Sequence, residues 1–241
     1  MRRICREEWT VQSDWVDVGQ NLRISTLFRL LQEVSLKHAT ELGLGRERTL
    51  DRGLLWVVTR QHVEVERLPR YGERIALETW PGATKRMLFP RYYRILDEQG
   101  NCLVKAAALW VIIDAKTRSM VLPAQHQIAV PAVETGDEIP FHAPQPVMEL
   151  PNRADFVVPY SYVDLNGHMN NTRYFDVCED VSYPKNVAGE LKEIRTEYNT
   201  EAKLGQTLTI AWGEQDGTLA FVGAAEQPCF RVALRYESKK A

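Results

Sequence analysis

The sequence contains one internal repeat, and this repeat constrains the fold more than any other feature. When Asp17 is aligned with Asp164, the two segments continue together without a gap through a predicted helix, with apolar positions meeting apolar positions. Further along, Gly72 and Gly205 occupy corresponding positions, each shortly before a predicted strand. The shared order and register indicate a duplicated domain that folds as a pseudo-dimer within one chain, its two sheets joined side by side.

Each copy has the pattern of one helix followed by several strands. Residues 24–38 carry apolar side chains at helical spacing, and Gly43 is placed to end this helix. Strand patterns follow at residues 54–59, 63–65, 75–80, 87–96 and 102–114 in the first copy, and at 219–225 and 229–236 in the second. A long helix followed by antiparallel strands predicts an α+β fold in which a sheet wraps around the helix.

The length of 241 residues is enough for two domains of about a hundred residues each. Half of the 12 prolines fall in one stretch, which we interpret as an extended linker. The predicted boundaries are therefore an N-terminal domain over residues 1–122, a Pro-rich linker over 123–155 and a C-terminal domain over 156–241.

Composition and charge exclude several classes of protein. A net charge of −2 without a long basic run argues against nucleic-acid binding. No window approaches the roughly 18 unbroken apolar residues of a membrane span, and the first residues lack the apolar segment of a secretory signal. The four cysteines have neither metal-ligand nor disulfide spacing, which is typical of a reducing compartment. A cytoplasmic location is expected.

A short polar segment in the second copy carries the groups that could perform chemistry. Asp164, Asn166 and His168 alternate along it, and a helical pattern follows, with Tyr174, Val177, Cys178 and Val181 on one apolar face. Asn170 or Asn171 is placed to cap that helix. An acid, an amide and an imidazole therefore precede a helix N-terminus, whose unpaired N–H groups suit a developing oxyanion.

The first copy lacks these reactive side chains at the corresponding positions. Gly19 stands at the place of Asn166, and Asn21 stands at the place of His168. We therefore predict a catalytic half at the C-terminus, and an N-terminal half that shapes a pocket.

The reactive segment and one further signature carry a resemblance to a known family. The motif consists of Asp164, Asn166, His168, Met169, Asn170 and Asn171 before a helix, and Tyr198, two variable residues and Glu201 follow before the next strand. With these motifs the chain resembles the fatty acyl-acyl-carrier-protein (acyl-ACP) thioesterases of plants and bacteria. The resemblance implies two tandem hotdog domains, each an antiparallel sheet wrapped around a long helix.

The resemblance also implies a reaction and its residues. The expected activity is hydrolysis of the fatty acyl-ACP thioester to free fatty acid and ACP, which ends chain elongation, without a cofactor or metal. The implied catalytic group is Asp164, Asn166, His168 and Glu201, with either carboxylate activating a water. Ala202 stands where the family has a cysteine once proposed as nucleophile. The helical stripe places the remaining candidate thiol, Cys178, in the core.

The expected partner is an acyl carrier protein bearing the acyl chain on phosphopantetheine, with no nucleic acid and no membrane; a homodimer is one assembly that the sequence allows. The acyl pocket is expected between the first helix and its sheet, lined by Leu27, Leu30, Leu31, Val34, Trp56 and Val58. Lys85, Arg86, Arg91 and Arg94 form the most basic segment, either a carrier-binding surface or a solvated strand face.

Three other functions compete with this interpretation. An acyl-CoA thioesterase would use similar loops, a non-catalytic acyl-binding hotdog protein would need no reactive group in either half, and a hotdog dehydratase would place its histidine in a different loop pattern.

Overall fold

The computed structural model describes residues 3–142, 150–182 and 189–238. The chain divides into two compact units, the first made of Met1–Arg23 and Leu27–Phe141, the second of Ile24–Thr26 and His142–Ala241. Among the described residues, no helix is long and apolar enough to cross a membrane.

The first unit contains five antiparallel strands and a long helix. Its elements are β1 (Cys5–Thr10), α1 (Ile24–Glu41), α2 (Arg46–Leu50), β2 (Leu54–Val65), β3 (Arg74–Pro81), β4 (Phe89–Leu96) and β5 (Cys102–Asp114). All of the strand pairs in this unit are antiparallel, and their order is β1-β3-β4-β5-β2. The α+β prediction is confirmed for this half.

Helix α1 forms because apolar side chains at helical spacing are buried together. Leu27, Phe28, Leu31 and Val34 are all buried, and Gly43 follows the helix with a φ of 74°. A residue with positive φ at this position is a common helix stop, and glycine adopts it without strain. Both the predicted helix and its predicted end are confirmed.

The second unit repeats the first in a shorter form. Its elements are β6 (Asn152–Val157), α3 (Arg173–Ser182), β7 (Glu190–Tyr198), β8 (Thr207–Gln215), β9 (Thr218–Ala224) and β10 (Pro228–Glu237). The strands are antiparallel in the order β6-β8-β9-β10-β7. This order matches β1-β3-β4-β5-β2 of the first unit strand for strand. Asp216 and Gly217 both have positive φ, as a tight two-residue hairpin turn requires.

The duplication is confirmed at the level of single backbone hydrogen bonds. The N–H of Asp17 donates to the carbonyl of Asn21, and the N–H of Asp164 donates to the carbonyl of His168. Corresponding bonds join Leu22 to Pro69 and Met169 to Ala202, and likewise Gly72 to Val11 and Gly205 to Val158. These hydrogen bonds confirm the predicted alignment of Asp17 with Asp164 and of Gly72 with Gly205. The side-by-side joining of the two sheets stays a prediction.

Strand pairing in the second unit begins inside the predicted linker of residues 123–155. Strand β6 starts at Asn152 and pairs with β8, so the last residues assigned to the linker belong to a sheet. The sequence predicts neither β6 nor β1, because each is the outermost strand of its unit and alternates buried or half-buried side chains with exposed ones. Part of the linker, residues 143–149, lies outside the described residues.

The part of the predicted linker before residue 143 packs against the first unit. Asp137 makes ion pairs with Arg94 and Lys105, and Glu138 accepts a hydrogen bond from the Trp80 indole at 2.9 Å. These side chains come from β3, β4 and β5, so polar contacts fix this segment against the sheet.

Candidate active site

The reactive segment is a tight turn that Asp164 closes. Its Oδ1 accepts a hydrogen bond from the N–H of Asn166 at 2.8 Å, and its carbonyl accepts one from the N–H of Gly167 at 2.9 Å. Gly167 has a φ of 81°, a conformation that glycine adopts at little cost. The turn returns the chain so that His168 pairs with Asp164 through the backbone.

The first unit contains the same turn without the reactive side chains. Asp17 Oδ1 accepts hydrogen bonds from the N–H groups of Gly19 and Asn21, at 2.8 and 3.0 Å. An aspartate at this position therefore serves to build the turn in both units. Its presence alone is not a sign of catalysis.

The structure brings His168 and Glu201 into direct contact. The His168 Nε2 lies 3.2 Å from Glu201 Oε2. The backbone explains the approach, because His168 and Lys203 form an antiparallel bridge and the N–H of Met169 donates to the Ala202 carbonyl at 2.8 Å. The Glu201 side chain is 41% exposed and the His168 side chain 24% exposed, so solvent and a substrate can both reach the pair.

The second ring nitrogen of His168 is in a different environment. Nδ1 is buried and has no hydrogen-bond partner within the part of the chain that the structure describes. A neutral imidazole that donates from Nε2 to the Glu201 carboxylate has an acceptor at Nδ1. An unpaired buried polar atom costs free energy, and such atoms are found at functional sites.

Asn170 connects the turn to the start of α3. Its Oδ1 accepts hydrogen bonds from the N–H and the hydroxyl of Thr172, at 3.0 and 2.8 Å, while its Nδ2 donates to Asp164 Oδ2 at 3.2 Å. Of the two predicted capping residues, Asn170 has this role. Its own N–H donates to the Tyr162 carbonyl and is not available to an oxyanion, which leaves Asn171 as the candidate donor of the two.

The four predicted catalytic residues thus differ in their contacts and in their exposure to solvent. His168 and Glu201 touch, Asp164 uses both carboxylate oxygens inside the turn, and Asn166 lies exposed in the same turn. Asp164 is linked to the start of α3 through Asn170.

Three of the four thiols are buried, among them Cys178 as predicted, and Cys102 is partly exposed. Cys178 is fully buried, and this burial raises the pKa of its thiol well above the ordinary value. Ala202 is also fully buried. The Cys229 Sγ accepts a hydrogen bond from the hydroxyl of Thr200 at 3.5 Å, beside Glu201. It too is buried, and a thiol shielded in this way is a poor nucleophile.

His168 and Glu201 form a dyad that has no counterpart at the corresponding positions of the first unit. The matching hydrogen bonds of Leu22 and Met169 place Asn21 at the position of His168 and Leu68 at the position of Glu201. An amide and an aliphatic side chain cannot replace an imidazole and a carboxylate in acid–base chemistry. The predicted difference between the two halves therefore includes Glu201, whose place in the first unit is taken by Leu68.

The predicted basic segment does not form one surface. Arg91 is buried and donates to His38 Nδ1 and to the Thr79 hydroxyl, at 3.0 and 3.2 Å. Arg94 is held by Glu78 and by the linker. The interpretation as an exposed segment is therefore wrong for Arg91, whereas Arg94 is partly exposed and is neutralised by Glu78 and Asp137.

Two units of antiparallel sheet and helix, one of them with a histidine–carboxylate pair, define a tandem hotdog protein with a candidate hydrolytic site. The family model for the N-terminal domain of acyl-ACP thioesterases matches residues 3–128, and the model for the C-terminal domain matches residues 147–226. The chain belongs to the acyl-ACP thioesterase family.

Individual relatives agree with this assignment. The chain is 29% identical over 231 residues to a chloroplastic acyl-acyl-carrier-protein hydrolase of Cuphea viscosissima, covering 84% of this chain and 50% of that protein. It is 27% identical over 239 residues to a dodecanoyl-acyl-carrier-protein hydrolase of Cinnamomum camphora, covering 90% and 62%. The chain therefore spans between half and two thirds of the length of these relatives.

Solved structures show the same fold over nearly the whole chain. An acyl-ACP thioesterase from Bacteroides thetaiotaomicron superposes with a TM-score of 0.89 at 21% identity, covering 98% of both chains. The 12:0-ACP thioesterase of Umbellularia californica superposes with a TM-score of 0.85 at 22% identity, covering 99% of both. The hotdog prediction is confirmed.

Proposed function

We propose that this protein hydrolyses the thioester of fatty acyl-ACP to free fatty acid and ACP, and so ends chain elongation. The observation that carries the proposal is the contact of 3.2 Å between His168 Nε2 and Glu201 Oε2. This pair lies in a chain that matches both domains of the family. A thioester is an activated acyl group, so a positioned water, a base and an oxyanion donor suffice for its hydrolysis.

Glu201 acts as the general base in this proposal. Its carboxylate takes a proton from water while the water oxygen attacks the thioester carbon, and the carbonyl oxygen becomes an oxyanion. When the tetrahedral intermediate collapses, the carbon–sulfur bond breaks and the proton held by Glu201 passes to the phosphopantetheine sulfur. The products are a fatty acid and a carrier with a free thiol, and the enzyme returns to its starting state.

The contacts of the two carboxylates favour Glu201 over Asp164 for this role. Both oxygens of Asp164 already accept hydrogen bonds, from the N–H of Asn166 and from Asn170 Nδ2, whereas Glu201 is partly exposed beside the imidazole. His168 holds the carboxylate and orients the water together with Asn166. The N–H of Asn171, at the entrance to α3, is the proposed oxyanion donor, because a helix N-terminus favours negative charge.

The acyl chain is proposed to lie in the first unit, against the inner face of α1. Its predicted lining residues Leu27, Leu30, Leu31, Val34 and Val58 are all buried, and Trp56 is partly buried. The carrier protein, rather than coenzyme A, is the proposed donor of the acyl group because the relatives are named as acyl-carrier-protein hydrolases. The cytoplasmic location stays a prediction.

Matched acyl-ACP and acyl-CoA substrates test the proposal directly. We expect a higher kcat/KM for acyl-ACP with the wild-type chain, and we expect Glu201→Ala to lose about 10²–10⁴-fold in kcat. A preference for acyl-CoA would assign the chain to the rival substrate. Absence of hydrolysis with both substrates, from folded protein, would favour the non-catalytic acyl-binding function.

A further inference from the structure

Arg91 on β4 is a buried cation that the proposed mechanism does not use. The residue is only 8% exposed, and burial lowers the pKa of its guanidinium, because a charge loses its hydration in the interior. Arginine nevertheless stays protonated in proteins. Among the described residues, no carboxylate forms an ion pair with this group. Buried charges are normally paired, so a cation at this position requires an explanation.

The hydrogen bonds of Arg91 leave one edge of the guanidinium unused. Its Nη1 donates to His38 Nδ1 at 3.0 Å and to the Thr79 hydroxyl at 3.2 Å, which occupies both hydrogens of that nitrogen. Nε and Nη2 have no hydrogen-bond partner within the part of the chain that the structure describes. An edge of two parallel N–H groups has the geometry that binds a carboxylate through two hydrogen bonds.

Arg91 lies on the inner face of the sheet, at one end of the proposed acyl pocket. His38 continues the helical stripe of Leu31 and Val34 by one turn, so its contact with Arg91 marks that end. The cross-strand neighbour of Arg91 on β5 is Ala108, and a methyl side chain is too small to cover the guanidinium. The end of an acyl chain that follows α1 therefore meets a cation.

A second pair of polar side chains lies beside this cation. The Ser35 hydroxyl donates to the Leu31 carbonyl at 2.6 Å, and the Tyr93 hydroxyl lies 2.7 Å from the same Ser35 oxygen. Because the Ser35 hydrogen is already used, Tyr93 is the donor to Ser35. Both side chains are buried. The inner face thus changes from apolar to polar at this end of α1.

We propose that this end of the first unit binds a carboxylate at the far end of the acyl chain, so that the substrates include acyl-ACP with a dicarboxylic acyl group. The inference rests on the proposed function, in which the acyl chain lies along α1. The carboxylate accepts hydrogen bonds from Nε and Nη2 of Arg91 and neutralises the buried charge. A methyl end in the same place leaves those donors without a partner, and a site of this kind discriminates against such an analogue.

Binding of free acids to the whole chain tests the site without turnover. Calorimetry compares an α,ω-dicarboxylic acid with the monocarboxylic acid of equal chain length, over a series of lengths. At the length that reaches Arg91, we expect the diacid to bind at least about 10-fold more tightly to the wild type, because it adds hydrogen bonds between charged groups. This comparison needs no variant.

Arg91→Met and Arg94→Met are the matched variants. Arg91→Met keeps the length of the side chain and removes its donors, so the advantage of the diacid should disappear. The variant should fold, because replacing a buried charge by an apolar side chain of similar size is often neutral or stabilising. Arg94 lies on the same strand and on its opposite face, where it pairs with Glu78. Arg94→Met should therefore keep the advantage of the diacid.

Hydrolysis of matched acyl-ACP substrates connects the site with turnover. The wild type should have a higher kcat/KM for the carboxyl-ended chain than for the methyl-ended chain of equal length, and Arg91→Met should reverse this order. A preference for the methyl end at every length in either assay, or an advantage of the diacid that survives in Arg91→Met, would overturn the proposal. If no acyl-ACP is hydrolysed, the proposed function fails, and the binding of free acids still decides the role of Arg91.

Discussion

The identity of the general base can be decided by replacing each carboxylate with its amide. Glu201→Gln keeps the shape of the side chain and removes its basicity. Because a general base contributes about 10²–10⁴-fold, kcat should fall by that factor, equivalent to about 2.7–5.4 kcal/mol in the barrier. The Glu201 side chain is 41% exposed and pairs with His168 near the surface, and such pairs are worth about 1 kcal/mol or less. The Tm should therefore change by less than about 4 °C.

Asp164→Asn should lower the thermal stability, which Glu201→Gln should leave nearly unchanged. The new amide group meets Asn170 Nδ2, a donor facing a donor, or else gives up the N–H of Asn166. Loss of one such bond to a charged group costs about 1.5–3 kcal/mol, so Tm should fall clearly, and kcat should fall because the turn that carries His168 shifts.

The pH dependence of kcat/KM separates the two roles, measured by release of carrier thiol from acyl-ACP. Loss of activity toward acidic pH reports protonation of the base in the free enzyme. This acidic limb should disappear in Glu201→Gln and persist in Asp164→Asn. If Glu201→Gln keeps the limb and most of kcat while Asp164→Asn loses both, the assignment of the base is wrong.

Three further predictions follow from the same contacts. Asp17→Asn keeps the Oδ1 acceptor for Gly19 and Asn21, so it should cost about 1 kcal/mol or less in unfolding free energy and leave kcat unchanged; a loss equal to that of Asp164→Asn would contradict one active site per chain. Alkylation of the native protein should leave kcat within about twofold, because Cys178 and Cys229 are buried and buried thiols react slowly; rapid inactivation that tracks Cys229 or Cys178 would reject the carboxylate mechanism. Burial raises the pKa of Glu138, but hydrogen bonds from Thr135, Trp80 and Gly136 outweigh it and lower the pKa from 4.5 to about 2. A lowered carboxyl pKa gives stability that is present above pH 4.5 and is lost as pH falls toward 2, so melting scans should show a smaller acid-induced drop in Tm for Glu138→Gln than for the wild type.

The sequence was sufficient where the signal is local and periodic. The buried face of α1 and its end at Gly43 depend on neighbours within a few residues, and the structure confirms them. Edge strands β1 and β6 escaped prediction because one of their faces is exposed. Alternation of apolar and polar residues is weak in such strands.

The site could be predicted only in part, for a physical reason. Asp164 and His168 lie in one turn, so their spacing is visible in the sequence. The contact of Glu201 with His168 depends on the bridge between His168 and Lys203, which no local pattern encodes, and Glu201 was found through the family resemblance alone. Arg91 was read as a surface charge because its inward direction is set by the sheet and the helix that cover it.

The two units together separate what the fold needs from what the chemistry needs. Asp17 and Asp164 close the same turn, so the aspartate belongs to the fold. Asn21 against His168 and Leu68 against Glu201 differ at equivalent positions, so the dyad belongs to the chemistry. Leu27 against Tyr174 differs at a third position, although both side chains are buried and either could fill the space. Because an aliphatic and an aromatic side chain fill the same buried place, the fold does not require a hydroxyl at this position.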